Sequence, residues 1–389
     1  MSHPYRFPDR AAPRVATATK LAADVLAKHA ADVDASARFP SECIDAVSRA
    51  GLMGLALPTS NGGQGEGMRA FAAVTEELAA ACGSTAMIYV MHVSASQAIA
   101  SGQTLDGRDA ILRQLASGEH LTTLAFSERG SRSQFWAPVS TLTTLPAGFR
   151  TSAEKSWVTS ASRATSYVSS AQKPGAASPL ESTVYLVRRD APGVKTAGKF
   201  DGLGLRGNDS APVTLKDVTV AEGDLLSAQG DGADTMLSVV LPWFCVGTAA
   251  MSNGLARAAV GITTAHLTGS KFEHTGTTLR DLPNLRARLA EMFSRTEQSR
   301  ASLGVTLDHI ESGSEAAPLY VLQARLAALQ SALDVTDLAM KACGGAAFSR
   351  HLGLERVFRD ARAGWVMAPT VDHLLEFSGR ALTGMPLFG

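Results

Sequence analysis

Residues 154–161 read EKSWVTSA, and the strand-like region around this segment separates two helical regions of the chain. Between residues 119 and 228, Thr, Ser and Val become dense and the apolar segments become short, which is typical of strands. The polar stretch 172–182 has the Pro/Gly composition of a hairpin tip. Further strand-like runs, separated by Gly, Pro and Ser, lie at 139–144, 183–187 and 211–215. The sequence therefore predicts a small antiparallel β-barrel in the middle of the chain.

The regions on either side of this segment are helical in pattern. In residues 1–118, apolar side chains recur at helical spacing, as in the stripe formed by Met68, Phe71, Val74 and Leu78. In residues 229–389, regularly spaced leucines mark helices long enough to form a bundle. We therefore predict three domains: a helical domain at 1–118, a β-barrel at 119–228 and a helix bundle at 229–389.

The overall composition excludes several classes of protein. The 389 residues include 36 basic and 36 acidic side chains, whereas nucleic-acid binding needs a basic excess. No charge-free apolar stretch is long enough to span a membrane, and no HExxH or similar metal spacing occurs. The four cysteines lack paired spacing, and the first residues lack the apolar core of a secretory signal. We therefore expect a cytoplasmic protein without a metal, a nucleic-acid partner or a membrane partner.

Six segments occur in a specific order along the chain. They read GLMGLALPTSNGGQG (51–65), AFSERGS (125–131), EKSWVTSA (154–161), GLGLRGNDSAPVTLKDVTV (202–220), KACGGAAF (341–348) and LERVFRDARAG (354–364). Together they resemble the acyl-CoA dehydrogenase superfamily of flavoproteins over nearly the whole chain. The resemblance implies a mainly α fold: an N-terminal helical domain, a central β-barrel and a C-terminal four-helix bundle. It also implies an FAD cofactor and a homodimer or homotetramer.

The resemblance assigns flavin contacts to three side chains near the centre of the sequence. Trp157 matches the family's aromatic residue against the flavin ring, and Thr159 matches a hydroxyl that bonds the flavin near N5. Ser127 stands where the family has a flavin-contacting Thr. The plainer interpretation of Trp157 is an aromatic residue in the barrel core.

Further cofactor contacts are implied towards the C-terminus. Thr370 matches a Thr that helps hold FAD, and Lys271 lies beside the position of an Arg that reaches the FAD pyrophosphate. Gly344 and Gly345 match a pair at which a neighbouring subunit approaches the FAD, where a Cβ would block close contact. A helix C-cap explains the same glycines equally well.

The resemblance also implies two residues near the coenzyme A part of the substrate. Ser131 lies in a shortened form of the segment that touches CoA in the family. Arg380 lies where the family usually has an Arg near the CoA or at a helix end. Both assignments come from the resemblance alone.

The family's catalytic base is missing. Its reaction removes an α-proton from an acyl-CoA and passes the β-hydride to the flavin, which needs a positioned carboxylate. That position is Ala368 here, and the alternative position used by a few members is near Phe244. His92 and His373 are candidates for a surrogate base. A hydrogen-bonded or pocket-lining role for His92, and a solvated or subunit-contact role for His373, are the more common explanations.

Three functions are compatible with this pattern. The first is an FAD-dependent acyl-CoA dehydrogenase-like oxidoreductase that passes electrons to an electron-transfer flavoprotein. The second is a flavin-dependent oxygenase of the monooxygenase type, which uses O2 and does not need the Glu. The third is a non-redox enzyme or a binding protein that keeps FAD for structure. The sequence does not identify the acyl group.

Overall fold

The computed structural model describes residues 3–387. Its N-terminal part is helical, as the apolar stripes predict. The helices are α1 (Ala12–Leu21), α2 (Ala27–Ser36), α3 (Ser41–Arg49), α4 (Met68–Ala81), α5 (Gly83–Ser101) and α6 (Arg108–Ser117). A wider turn at Ala22–Leu26 joins α1 to α2. Nearly every residue of α5 is buried, because this helix packs against the sheets on one side and the C-terminal helices on the other.

The middle part consists of two sheets. Its strands are β1 (Thr122–Ala125), β2 (Leu142–Leu145), β3 (Gly148–Val158), β4 (Ser166–Gln172), β5 (Ser182–Arg188), β6 (Val194–Thr196) and β7 (Ala211–Val220). One sheet has the order β1-β4-β5 and the other the order β2-β3-β7-β6. The antiparallel pair β4–β5 places the polar stretch 172–182 at its tip, which confirms the predicted hairpin.

The two sheets do not close into the predicted barrel. Within residues 3–387, single bridges such as Glu128 to Lys155 and Thr141 to Gln172 link one sheet to the other, and no continuous ladder does. Strands β1 and β2 have only four residues each, which leaves too little edge for full closure. The pair β1–β4 is also parallel, where an antiparallel arrangement was predicted. The sheets instead enclose a shared apolar core.

The C-terminal part is a helix bundle. Its helices are α7 (Gly232–Asp234), α8 (Leu241–Gly269), α9 (Pro283–Glu311), α10 (Ala317–Cys343), α11 (Gly345–Phe348), α12 (Leu354–Ala361), α13 (Ala363–Val366) and α14 (Val371–Leu382). The long helices α8, α9 and α10 pack together, and α14 adds a shorter helix on α10. This arrangement confirms the predicted fold class, while the residue limits of the three domains stay predictions.

One helix is long and apolar enough to cross a membrane by composition alone. Among the described residues it is the segment Gly232–Gly269, and 67% of its apolar window is buried inside the protein. It packs against α4 and α10. This is the ordinary behaviour of the core helix of a folded domain.

The loop after β6 connects the three parts of the chain. The guanidinium of Arg359, in α12, donates to both carboxylate oxygens of Asp34 in α2, at 2.6 and 2.8 Å. It also donates to the carbonyl of Leu203 in the loop, at 3.1 Å. The loop N–H of Leu205 donates to Oδ1 of Asp360 at 2.6 Å, and burial raises the pKa of this carboxyl to about 6. These contacts form a junction of the three domains.

Candidate functional site

A cavity of about 780 Å³ lies where the three domains meet. Side chains from α5, from the segment after β1 and from the start of α8 form a largely apolar wall. Its members include Met87, Met91, Phe126, Phe135, Leu241 and Phe244. The end of β3, the loop after β6 and residues 359–368 complete the lining. The cavity is large enough for a small organic ligand.

Three residues with implied flavin contacts, Ser127, Trp157 and Thr159, line this cavity together. The side chains of β3 alternate, so Val158 packs in the core while the Trp157 side chain is 64% exposed. The core-aromatic interpretation of Trp157 is therefore wrong. Its ring contacts Phe200 with the centroids 6.1 Å apart. The Thr159 hydroxyl lies 3.3 Å from the Ser210 hydroxyl.

This set of groups fits a flavin ring. A flat aromatic face with adjacent hydroxyl donors suits a planar heteroaromatic ligand that has polar edges. Leu203, Trp365 and Val366 also line the cavity and are largely exposed. An apolar rim of this kind around a cavity marks a binding site. Residues Ser127, Trp157 and Thr159 are thus the ones that would hold the ring.

Both residues that the resemblance assigns to the position of the family's base lie in the cavity wall. Ala368 and Phe244 line it, and neither side chain can accept a proton. Of the lining residues, only Glu128 carries a carboxylate. No free carboxylate base therefore faces this cavity in the described part of the chain.

Glu128 is fully engaged in a buried ion pair. Its Oε1 accepts from Lys155 Nζ at 2.6 Å and from the Ser140 hydroxyl at 2.5 Å. Its Oε2 accepts from the backbone N–H groups of Val139 and Ser140, both at 2.8 Å. Burial alone would raise the pKa of Glu128, but Lys155 and these donors hold it below its usual value. Glu128 is thus an ionised structural group.

The two candidate histidines do not line the cavity. His92 is fully buried in α5, where its Nδ1 accepts from the Thr122 N–H at 3.3 Å. Burial lowers the pKa of His92 to about 3, so its imidazole is neutral. His373 Nδ1 lies 3.2 Å from the Thr370 hydroxyl, and its ring stacks on Phe377 at 5.7 Å between centroids. Neither is therefore placed as the surrogate base.

The remaining implied side chains also lie outside this cavity. The Ser131 hydroxyl bonds the Glu128 backbone, and Thr370 caps α14 by accepting from the His373 N–H. Arg380 pairs with Glu376 at 3.3 Å. Lys271 lies in an isolated bridge with Thr278. Their roles towards FAD and CoA stay predictions.

Gly344 and Gly345 lie on the surface at the end of α10. Gly344 has a φ of +56°, and an added Cβ would meet nothing within 4 Å at either position within this chain. Phe348, three residues further on, is 88% exposed. The close approach that these glycines are predicted to allow therefore requires a second subunit.

One buried charged residue beside the cavity lining was not identified from the sequence. Arg325, in α10, has the largest fully buried side chain of the described residues. Its Nη2 donates to the Met367 carbonyl at 2.9 Å and its Nη1 to the Ala368 carbonyl at 3.5 Å. Its guanidinium lies 4.7 Å from the ring centre of Phe244. The available signal was a charged residue within the buried stripe of Leu322, Leu326 and Leu329.

Comparisons with known proteins match most of the length of this fold. The family described as acyl-CoA dehydrogenase, N-terminal domain, matches residues 14–119. The middle domain of the same family matches residues 123–218, and its C-terminal domain matches residues 230–382.

Individual relatives agree with these family matches. Cyclohex-1-ene-1-carbonyl-CoA dehydrogenase of Geobacter metallireducens is 25% identical over 361 residues, which cover 92% of this chain and 93% of that protein. The structure of butyryl-CoA dehydrogenase from Megasphaera elsdenii has a TM-score of 0.92 at 20% identity, covering 97% of this chain and 99% of that one. The prolyl acyl carrier protein oxidase AnaB has a TM-score of 0.88 at 18% identity, with the same coverage of 97% and 99%. This chain therefore has the same fold as both of these proteins.

Proposed function

Because this chain belongs to the acyl-CoA dehydrogenase superfamily and is a flavin-dependent oxidoreductase, we propose that it binds FAD and oxidises an acyl thioester of coenzyme A. The observation that supports this function most strongly is the cavity in which Ser127, Trp157 and Thr159 meet an apolar wall and Ala368. When bound, the flavin supplies the two-electron redox chemistry. The residues of this chain bind both partners, orient them and exclude water.

The apolar wall suits the acyl group of such a substrate. Met87, Met91, Phe126 and Phe135 offer a surface that removes hydrocarbon from water. Ala368 also lines the cavity, and its backbone N–H has no hydrogen-bond acceptor within residues 3–387. It is free to donate to the carbonyl oxygen of a thioester.

Two arginines at the cavity support a phosphate-bearing ligand such as coenzyme A. Arg129 and Arg132 line both the cavity and a shallower polar groove beside it. Both are exposed, and neither forms an ion pair with another described residue. Guanidinium groups are well suited to bind phosphate.

The missing base restricts the substrates that this cavity can oxidise quickly. Without a carboxylate, the α-proton of a saturated acyl-CoA leaves slowly, because it is a weak acid. Substrates whose α-proton is already acidic are therefore favoured. The test is anaerobic bleaching of the bound flavin by a panel of acyl-CoAs with different α-proton acidities. Equal and fast bleaching by all of them would contradict this restriction.

The nonpolar side chains of Ala368 and Phe244 also favour a second candidate, a flavin-dependent oxygenase. Oxygenase chemistry on this scaffold needs no carboxylate to remove an α-proton. The electron acceptor would then be O2 instead of an electron-transfer flavoprotein. Repeating the panel in air, with oxygen uptake and incorporation of ¹⁸O into product as readouts, separates the two candidates.

We expect the purified protein to be yellow and to contain about one non-covalent FAD per chain. Trp157→Ala should weaken FAD binding by about 2- to 10-fold, because an aromatic contact contributes about 0.5–1.5 kcal/mol beyond its buried area. Absorbance of the released flavin, with chromatography to separate FAD from FMN, measures the content. Tyr320→Ala, a partly exposed aromatic away from the cavity, is the control. A colourless protein that takes up no added FAD would contradict the cofactor assignment.

We also propose that the chain forms a homodimer or homotetramer. Exposed apolar side chains occur at and beyond the implied subunit contact in the C-terminal part of the chain: Phe348, Leu375, Leu382 and Met385. Exposed apolar groups of this kind mark interfaces between proteins. We expect light scattering to give at least a dimer, and Phe348→Asp to shift the population towards smaller species. A monomer that carries FAD would refute the assembly.

A cytoplasmic location is proposed on the chemistry of the cysteines. Cys43, Cys82, Cys245 and Cys343 are all buried and unpaired. Free thiols of this kind persist in a reducing compartment.

A further inference from the structure

A buried cation lies behind the Ala368 wall of the cavity. Arg325 is 0% exposed, and no carboxylate among the described residues pairs with it. Burial lowers the pKa of Arg325, but the ordinary pKa of a guanidinium is so high that the group stays charged. Burial also raises the pKa of the neighbouring Cys245 thiol, which therefore stays neutral. An uncompensated charge of this kind is costly to bury.

The hydrogen bonds of Arg325 determine how the peptide before Ala368 is oriented. Its Nη2 donates to the carbonyl oxygen of Met367 at 2.9 Å. The Met367 carbonyl and the Ala368 N–H belong to one peptide group, which is trans. The C=O and N–H of a trans peptide point in opposite directions. The carbonyl therefore points towards the buried cation, and the N–H points away from it.

We propose that Arg325 is a positioning residue that directs the Ala368 N–H towards the substrate and strengthens it as a donor to the thioester carbonyl. The inference rests on the proposed function, because it requires a thioester in the cavity. A cation that bonds the Met367 oxygen draws electron density along the peptide and makes the N–H of that peptide a better donor. When the substrate loses its α-proton, negative charge develops on its carbonyl oxygen, and this donor stabilises it. Arg325 thus partly compensates for the missing base.

The test measures the acidity of a bound probe, acetoacetyl-CoA. Loss of its α-proton to solvent leaves an enolate, which is followed by near-ultraviolet difference absorbance as the pH is raised. We expect the apparent pKa of the probe on the wild-type holoenzyme to lie below its value in free solution. Arg325→Met should raise it by about one pH unit, a tenfold loss of enolate stabilisation. Arg325→Lys, which keeps a cationic donor, should restore most of the difference.

Two further variants separate this role from a structural one. Arg325→Gln can still donate a hydrogen bond but carries no charge, so it should resemble the Met variant more than the Lys variant. Arg69→Met removes another buried arginine that donates to a backbone carbonyl, the Tyr5 oxygen at 2.7 Å, and that does not line the cavity. It should lower stability without changing the pKa of the probe.

The outcomes are distinguishable. An identical probe pKa in the wild-type, Met and Lys proteins, all with flavin bound, would overturn the inference and leave the proposed function intact. If Arg325→Met does not fold, the comparison of wild type, Lys and Gln decides in the same way. Failure of the wild-type holoenzyme to bind acetoacetyl-CoA would overturn the proposed function and this inference with it.

Discussion

Replacing Ala368 with glutamate is expected to raise the rate at which butyryl-CoA bleaches the bound flavin by about 10²- to 10⁴-fold. Ala368 lines the cavity, so the new carboxylate is introduced where the substrate binds. Arg325, whose Nη1 lies 3.5 Å from the Ala368 carbonyl, should lower the pKa of this carboxyl and keep it ionised. A more acidic carboxyl is a weaker base, so we expect the gain near the lower end of that range. Anaerobic stopped-flow absorbance measures it directly.

Two comparisons make this result specific. Ala368→Gln has nearly the same shape without a proton acceptor and should give no gain. Phe244→Glu introduces the carboxylate from the other side of the cavity and should give a smaller gain. If neither carboxylate raises the rate, the missing base does not limit this protein.

Fast reduction of the wild-type flavin by butyryl-CoA would show that the protein does not need a carboxylate at position 368. If His92→Ala or His373→Ala then abolished that reduction, a histidine would be the base, although neither lines the cavity. The oxygenase alternative would lose its main support.

Replacing Glu128 with glutamine is expected to lower the free energy of unfolding by about 3–5 kcal/mol. The side chains of Glu128 and Lys155 are only 4% and 0% exposed, so the variant leaves Lys155 buried without a counter-ion. Lys155 also donates to the Ser170 carbonyl at 2.6 Å, which links β3 of one sheet to β4 of the other. Urea unfolding, followed by circular dichroism, measures the loss.

The pH dependence of stability gives a second readout for this pair. The pKa of Glu128 in the folded state is lowered from its ordinary value of 4.5. The stabilisation is therefore fully present above pH 4.5 and is lost as the pH falls through the lower, folded-state pKa. The variant should lack this part of the acid sensitivity.

The control for this prediction is Glu154, which lies on the same strand as Lys155. Glu154 in β3 is exposed and accepts from the Thr214 hydroxyl at 2.9 Å. Glu154→Gln should change stability by no more than about 0.5 kcal/mol. The double variant Glu128→Gln with Lys155→Met should recover part of the loss, because it removes the unpaired charge. A loss below about 1 kcal/mol for Glu128→Gln alone would refute the prediction.

The helices could be predicted because their signal is local. The leucine stripes that mark α9 and α10 depend only on spacing within one segment. Closure of the sheets depends on which edges meet over long distances in sequence. Strand β1, with four buried residues, carries no pattern that shows its parallel pairing with β4. The predicted barrel was wrong for this reason.

The candidate site was predictable in part. Ser127, Trp157, Thr159 and Ala368 were identified because each lies in a short segment that resembles the family, and the fold brings these segments together. Which face of a wholly buried helix meets the cavity could not be derived. In α5, Met87 and Met91 are one turn apart and line the cavity, whereas the next residue, His92, points elsewhere.

The contacts of Arg325 could not be derived from the sequence for a related reason. Its backbone partners, Met367 and Ala368, lie 42 and 43 residues away along the chain. A single charge in a helix is usually solvated, and only the tertiary structure shows that this one is buried.

The junction of the three domains also constrains how the protein is made in the cell. Asp34 and Arg359 are 325 residues apart, so at about 5–20 residues per second the arginine is synthesised roughly 15–65 s after its partner. During that interval the helices and sheets can form on the ribosome, but Asp34 has no cation and the Leu205 N–H lacks its acceptor Asp360. The cavity walls from α5, the sheets and the start of α8 can therefore form before residues 359–368, which complete the lining, have been synthesised. We expect the nascent chain to depend on chaperones until α12 has left the exit tunnel, and chains stalled before residue 354 to be degraded.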